Sequence, residues 1–305
     1  MAVATGPRHR SGPRVRVLSG VDTIRAMTPL EFTAVALVLS AGAGLHGSLL
    51  GLGGGIIVVP AMTLLLRVHI RYAIGASVVS VIATSSGAAA AYVRERLANL
   101  RLGMLLEVAT TAGALTGAYL AGVVGGRWLY LIFGCVLAYT AVAMFLNGGN
   151  KARGSADGPD RLADRLCLHG EYEDPAIGRR VAYRVQNTAL GLVLSWVAGA
   201  VSGLLGIGGG VLKVPVMNLR MGRPIKAATA TSNFMIGVTA TASAGVYFLR
   251  GDIDPFVAAP VVVGVTLGAT VGSLLMGRLR SDRLRLLFVG VLAFLCVEML
   301  LKGLQ

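Results

Sequence analysis

The sequence predicts an all-α, polytopic membrane protein made of two homologous helical repeats. Three observations carry that expectation: how apolar the chain is, where its charges fall, and a duplication within it. A soluble protein holds about 45–50% apolar and about 25% charged residues. This chain of 305 residues holds 55% and 14%, with a mean hydropathy of +0.73. Residues 34–66 contain no Asp, Glu, Lys or Arg. The segment Gly51 to Met62 matches Gly206 to Met217 at an offset of 155 residues. The register continues without a gap, pairing Ile70 with Ile225, Ala73 with Ala228, Ser77 with Ser232, Thr84 with Thr239, Tyr92 with Tyr247, Gly113 with Gly268 and Gly117 with Gly272. Over residues 51–92, 14 of 42 positions are identical, so the chain is two copies of one unit joined by a linker.

Taken in order, residues 1–29 carry Arg8, Arg10, Arg14, Arg16 and Arg25 among glycines and prolines, which predicts a basic, disordered extension. The first repeat occupies 30–146, a polar linker 147–186 and the second repeat 187–305. Leu30 to Leu50 and its partner Asn187 to Leu205 are long enough, at ~1.5 Å per residue, to span the ~30 Å hydrocarbon core. Each is followed by a glycine motif and then by a short apolar piece, Ile56 to Leu66 and Val211 to Met221, that reaches only about 16 Å as a helix. Full-length segments follow at Tyr72 to Val93, Leu102 to Val124 and Leu129 to Leu146. In the second copy they fall at Ala227 to Leu249, Phe256 to Met276 and Leu284 to Leu301.

The expected architecture is therefore eight full spans plus two glycine-broken half-helices, with 8–10 crossings. If the half-helices are re-entrant the repeats are parallel; if they cross, the repeats are inverted. The Lys and Arg count, 17 on one side against 10 on the other, favours eight crossings with both termini cytoplasmic; if the half-helices cross, the same count places both termini outside, and the linker falls on the richer side either way. Within the linker seven basic and six acidic residues nearly cancel, and Val181 to Gln186 alternates as a short strand does.

Composition also excludes functions. Nucleic-acid binding needs basic residues gathered on a solvated face, whereas the net charge of +14 comes from residues that punctuate apolar segments. Cys135, Cys167 and Cys296 form no disulfide framework, and Cys135 and Cys296 are expected to be small buried hydrophobes. No His/Cys/Asp/Glu cluster suits a metal, no phosphate-loop lysine is present, and no serine has a histidine and an acid to work with. The chain is expected not to be an enzyme and to need no cofactor.

The residues that carry chemistry lie in and after the glycine motifs. Gly53, Gly54 and Gly55, and Gly208, Gly209 and Gly210, stand directly before the half-helices, where unpaired amides and the helix dipole make an anion site. Close helix packing is the alternative use of such glycines. Two such motifs at matching places point to a binding site between repeats near the membrane midplane. Gly113 with Gly117 and Gly268 with Gly272, in continuous spans, are expected to serve packing. Lys213 stands where the first copy has Val58, and an ammonium deep in a bilayer is costly enough to need a partner or a function; the alternative is a lysine that snorkels to the surface. Ser232, Thr239 and Ser243 share one helix face, and Ser77, Ser80 and Thr84 form a similar stripe, although such hydroxyls also bond their own helix carbonyls. Asn233 has an amide that needs partners. Glu107, His46 and Glu298 are the candidates for proton coupling, with Glu107 and Glu298 expected near span ends within reach of water.

Gly-x-Gly-Gly-Gly-x-x-x-x-Pro in both halves, and the run from Asn218 to Thr239 after the second, resemble the sulfite exporter TauE/SafE family over residues 30–302. The resemblance implies a multi-pass bacterial inner-membrane permease for small anions, with sulfite or sulfur-containing organic acids as leading substrates. The expected function is secondary transport of such an anion, coupled to a proton or another ion gradient. The substrate-binding set is the six glycines with Lys213, Ser77, Thr84, Ser232, Asn233 and Thr239. Its competitors are a membrane-embedded binding or scaffold protein and a channel for a small solute. The charge count yields one test. Single cysteines placed in 147–186 are expected to resist an impermeant thiol reagent on intact cells, because the positive-inside rule makes that segment cytoplasmic; strong labelling refutes the orientation.

Overall fold

A computed structural model describes residues 28–50, 53–94, 97–146, 160–174, 179–276 and 281–304. The basic extension before Thr28 and the linker residues 147–159 and 175–178 lie outside the described residues. The chain is mostly helical: α1 (Pro29–Leu50), α2 (Gly55–Leu64), α3 (Ile70–Arg94), α4 (Leu100–Val123) and α5 (Gly126–Leu146) precede the linker. After it come α7 (Thr188–Leu205), α8 (Gly210–Pro215), α9 (Ile225–Leu249), α10 (Pro255–Met276) and α11 (Ser281–Leu304). Adding 155 to the bounds of α3 gives those of α9, and adding it to the first residues of α4 and α5 gives those of α10 and α11. Four helices, α1, α4, α7 and α10, are each long and apolar enough to cross a membrane. The short pieces are α2, of ten residues with Pro60 inside it, and α8, of six. Pro215, which has no amide to donate, closes α8, and the wider π turn Val216–Arg220 carries the segment on.

Glycine sets which helices touch. α1 packs on α10, and α4 on α7. A Cβ on Gly264, Gly268 or Gly272 would overlap backbone or side-chain atoms of Leu37, Ala41, Leu45 or Ser48. A Cβ on Gly199 or Gly203 would overlap the carbonyls of Thr110 and Ala114, and one on Gly113 or Gly117 those of Trp196 and Ala200. Residue numbers rise together along both contacts, so each pair of helices runs in the same direction. The packing role expected for Gly113, Gly117, Gly268 and Gly272 is the one they serve, since lipid supplies no hydrophobic drive between helices and small residues let backbones approach.

α5 and α11 run antiparallel. Gly134 lies against Leu300 and Gly303 against Leu131, Cys296 Sγ reaches the Gly134 carbonyl at 3.3 Å, and Arg127 Nε donates to the Gly303 carbonyl at 3.0 Å. Cys296 is buried as expected, whereas Cys135 is exposed: it sits on an outward face of α5, where a small apolar side chain needs no neighbour in protein.

Polar side chains gather at two opposite rims. At one, Arg250 Nη1 donates to the Ala118 carbonyl at 2.5 Å and Lys302 Nζ to the Thr63 carbonyl at 2.7 Å, while Phe32 at the start of α1 stacks on Phe256 at the start of α10, ring centroids 5.3 Å apart. α1 thus begins, and α2 ends, at this rim. The linker defines the other rim. There the amide of Gln186, just before α7, donates to the Met221 carbonyl, just after the π turn, at 3.3 Å. The two glycine motifs are therefore the tips of two hairpins, α1–α2 and α7–α8, that enter from opposite rims.

The described part of the linker holds a short helix and two strands. Asp160 caps the short helix α6 (Arg161–Arg165) through the amides of Leu162 and Ala163 and accepts from Thr188 N and Oγ1, both at 2.7 Å. Burial opposes its charge, but those donors hold the Asp160 carboxyl below its ordinary range. Strands β1 (Gly170–Asp174) and β2 (Arg179–Tyr183) form an antiparallel hairpin, which begins and ends slightly before the alternating run in the sequence. Glycine packing yields the test here: Gly268→Val and Gly203→Val are expected to lower the thermal unfolding temperature of detergent-purified protein sharply. Gly245→Ala, where an added Cβ meets nothing within 4 Å, is expected to gain about 0.5–1 kcal/mol.

Candidate functional site

The centre of the molecule is the contact between α3 and α9. Val81 and Ile236, counterparts at the 155-residue offset, both stand there, and both glycine hairpins converge on them. A Cβ on Gly53 would meet Ile236 and Val81, and a Cβ on Gly208 would meet the same two side chains. The tips also reach each other, because a Cβ on Gly55 would lie 2.6 Å from Ser77 Oγ and 3.0 Å from the Gly206 carbonyl. Gly53, Gly54, Gly208 and Gly209 have φ of 75°, 68°, 74° and 76°, a region closed to most side chains. The glycine runs thus satisfy two demands together, a left-handed turn and backbone contact between halves.

Hydrogen bonding at the tips differs between the halves. The Gly55 amide is spent on the Gly53 carbonyl at 2.7 Å, and Ser77 Oγ donates to the Gly206 carbonyl at 2.8 Å. No such bond ties Gly210 N to Gly208 O among the described residues. Ser232, the counterpart of Ser77, is fully buried, and its Oγ has no partner. Asn233 is 1% exposed, and its Nδ2 also has none. Ser80 and Thr84, by contrast, turn back to the carbonyls of Ser77 and Ser80, as hydroxyls on a membrane helix do.

Lys213 is fully buried at 1% exposure and does not snorkel. Its stem lies against the tip, since a Cβ on Gly209 would sit 3.2 Å from Lys213 Cε. Nζ donates to Thr239 Oγ1 at 2.7 Å and stands 3.5 Å from Glu107 Oε2. Glu107 Oε1 accepts from Thr239 Oγ1 at 2.6 Å and from Thr111 Oγ1 at 3.2 Å, and Oε2 accepts from Thr110 Oγ1 at 3.1 Å. Glu107 is 7% exposed, which corrects the expectation that water reaches it near a span end. It lies two turns into α4, but α7 and α9 pack over α4 and the ammonium of α8 meets it there. His46 bonds the Gly42 carbonyl of its own helix and Glu298 is partly exposed on α11; neither joins this pair. In the other half the positions equivalent to Lys213, Glu107 and Thr239 are Val58, Val262 and Thr84, so only one half carries the charges.

Arg223 escaped the sequence reading. It is 0% exposed, donates from Nη1 to Thr231 Oγ1 at 3.1 Å and from Nη2 to Tyr183 OH at 3.0 Å, and stacks over the Tyr183 ring at 4.9 Å. Asn99 Nδ2 donates to the Leu168 carbonyl at 2.8 Å and to Tyr183 OH at 3.2 Å. The linker is pinned over the first turns of α4 and α9 by these contacts. Only its position before Pro224 marked Arg223 in the sequence. Among the described residues no group of His, Cys, Asp and Glu could hold a metal.

A bundle of apolar helices with two broken hairpins meeting at its centre, beside a buried ion pair, defines a multi-pass membrane protein of the transporter class. The sequence profile of the sulfite exporter TauE/SafE family matches residues 36–299, and the chain belongs to that family. It is 27% identical over 276 residues to the probable membrane transporter protein YunE of Bacillus subtilis, covering 88% of this chain and 97% of that protein. It is also 27% identical over 256 residues to a probable membrane transporter protein of Xylella fastidiosa, covering 82% and 89%. No solved structure matches the chain.

The ion pair generates a stability test. Removing one partner of a buried pair leaves the other charge uncompensated, at a cost of about 3–5 kcal/mol, whereas removing both is often near neutral. Lys213→Met and Glu107→Gln are each expected to lower the unfolding temperature, and the double variant is expected to lose less than the sum. Strict additivity would show that the two side chains do not interact.

Proposed function

We propose that the protein is a secondary transporter of a small anion, sulfite or a sulfur-containing organic acid, with its substrate site where the two glycine hairpins meet. The observation that carries this is the pair of buried donors without partners, Asn233 Nδ2 and Ser232 Oγ, on the helix that faces both tips. A buried donor left unmade costs about 1–3 kcal/mol, so a chain that keeps two such groups at its centre has a use for them. Gly53, Gly54, Gly55, Gly208, Gly209 and Gly210 bring main chain close to that place, Lys213 and Thr239 supply positive charge and a hydroxyl, and Ser77 and Thr84 line the other half. The name of the family, and the printed names of the relatives as probable membrane transporters, support the same class.

The helix directions support a topology as well. α5 antiparallel to α11, and α1 parallel to α10, fit inverted repeats in which α2 and α8 each reverse the chain. Eight long helices and two half-helices then make ten passes, with the linker on the cytoplasmic face of a bacterial inner membrane and both ends of the chain on the other. Each hairpin enters from its own rim, an arrangement suited to reaching the common tip region from either face in turn. That is the geometry alternating access requires.

Purified protein in proteoliposomes is expected to move sulfite or sulfoacetate out of a panel of inorganic anions, sulfonates and carboxylates, under an imposed ion gradient. Asn233→Leu is expected to weaken the transported anion by on the order of ten- to a hundredfold, the equivalent of one hydrogen bond to a charged group. Binding without flux would favour a membrane-embedded binding protein. Flux of neutral solutes without saturation would favour a channel.

A further inference from the structure

We propose that Glu107 is the proton site coupled to anion movement, taking up one proton as the anion replaces its carboxylate beside Lys213. The proposal rests on the anion-transporter reading and extends it to the driving ion. Its basis is the construction of the pair. The separation of Lys213 Nζ from Glu107 Oε2, 3.5 Å, exceeds an ordinary hydrogen bond, and of the three N–H groups of the ammonium one is committed, to Thr239. The lysine is held chiefly by charge, with donors to spare for a ligand.

Glu107 is built for two protonation states. Of the three hydroxyls on its carboxylate, two have a second acceptor already in place. Thr239 Oγ1 lies 3.1 Å from the Met235 carbonyl and Thr110 Oγ1 lies 2.8 Å from the Leu106 carbonyl. When Glu107 is protonated these two hydroxyls keep a partner, and Thr239 Oγ1 is free to accept from the new carboxyl O–H. Such bonds are common to hydroxyls on membrane helices, and here they keep both hydroxyls satisfied in either state of the carboxyl.

Charge balance then requires the proton. The empty site holds one ammonium and one carboxylate and is neutral. An anion added to it leaves a buried negative charge uncompensated unless a proton enters. Among the described residues the other buried cation is Arg223, which is held at the linker rim by Tyr183 and by Thr231, two turns of α9 before Thr239. α7 has no ionisable residue, α8 has Lys213 alone, and Arg101 on α4 and Arg220 in the π turn are exposed. α9 carries Lys226 in its first turn and Tyr247 in its last, and the Tyr247 hydroxyl is spent on the carbonyls of Gly203 and Leu204. The balanced step is this: a monoanion and a proton enter from one face, the proton bonds to a Glu107 oxygen and the anion takes the place of the carboxylate beside Lys213. On the other face both leave, and the pair re-forms. One proton and one monoanion thus cross together in the same direction.

The test is calorimetric titration of the purified protein with sulfite and with methanesulfonate, a permanently ionised monoanion, in buffers of different ionisation enthalpy. Wild type is expected to take up one more proton per anion bound than Glu107→Gln. Its methanesulfonate affinity is expected to rise about tenfold per unit fall in pH, while the affinity of Glu107→Gln stays flat. Equal proton uptake by the two proteins, or a pH-independent wild type, overturns the proposal and leaves the anion-transporter reading standing. Failure of wild type to bind either anion overturns both. Should Glu107→Gln not fold, wild type must show a new protonated-carboxyl band in its infrared difference spectrum when methanesulfonate is added, and the lack of one refutes the assignment.

Discussion

Main chain touching main chain at glycine is the constraint on which this structure depends. Along α1 and α10, along α4 and α7, and at Gly55 and Gly206 of the hairpin tips, a single added Cβ would meet backbone of the facing element. In lipid, where apolar side chains gain nothing by leaving their surroundings, such close contact provides the packing that holds helices together. It also positions the site. The hairpin α7–α8 can bring Lys213 to Glu107 because Gly206, Gly208 and Gly209 let its tip fit closely between α3 and α9, with Ile207 as its one buried side chain.

On this two-fold framework the charge is one-sided. Lys213 and Glu107 form the buried ion pair and Ser232 and Asn233 the unpartnered donors, while the equivalent positions hold Val58, Val262, Ser77 and Val78. Ser77 is bonded to the Gly206 carbonyl and the hydroxyl of Ser232 has no partner, so the tip contact is closed by a hydroxyl from one half alone. Divergence of a few residues thus leaves the ion pair without a charged counterpart in the other half.

The linker joins this arrangement at one rim. Tyr183 from the hairpin β1–β2 lies within hydrogen-bond reach of both Arg223 and Asn99, and Thr231 Oγ1 accepts from Arg223 and from the Asn99 amide. Thr231 is next to Ser232 and Asn233. The polar segment that divides the two halves in sequence therefore packs on the turn of α9 that carries the unpartnered donors. The buried guanidinium lies over the Tyr183 ring and bonds hydroxyls there, with its Nε unpartnered and no carboxylate beside it among the described residues.

How much was legible in the sequence depends on the range of the cause. Span length, half-length pieces and the 155-residue offset follow from local apolarity and from comparing the chain with itself, and the elements fall where those signals put them. The packing role of Gly113 and Gly268 was legible too, because spacing along one helix fixes which face is small. The partner of Lys213 was not. Glu107 lies 106 residues earlier in an unrelated segment, and one-dimensional position suggested only a carboxylate near a span end. Its burial is decided by α7 and α9 closing over α4. The directions of the helices were open for the same reason, since Lys and Arg counts favour the linker side whether α2 reverses the chain or not. The sequence by itself determined the class of protein, its elements and the residues worth watching. Which charges meet, which donors stay unpaired and how the halves oppose each other were decided only in the tertiary structure, because each is a contact between segments whose separation along the chain says nothing of their distance in space.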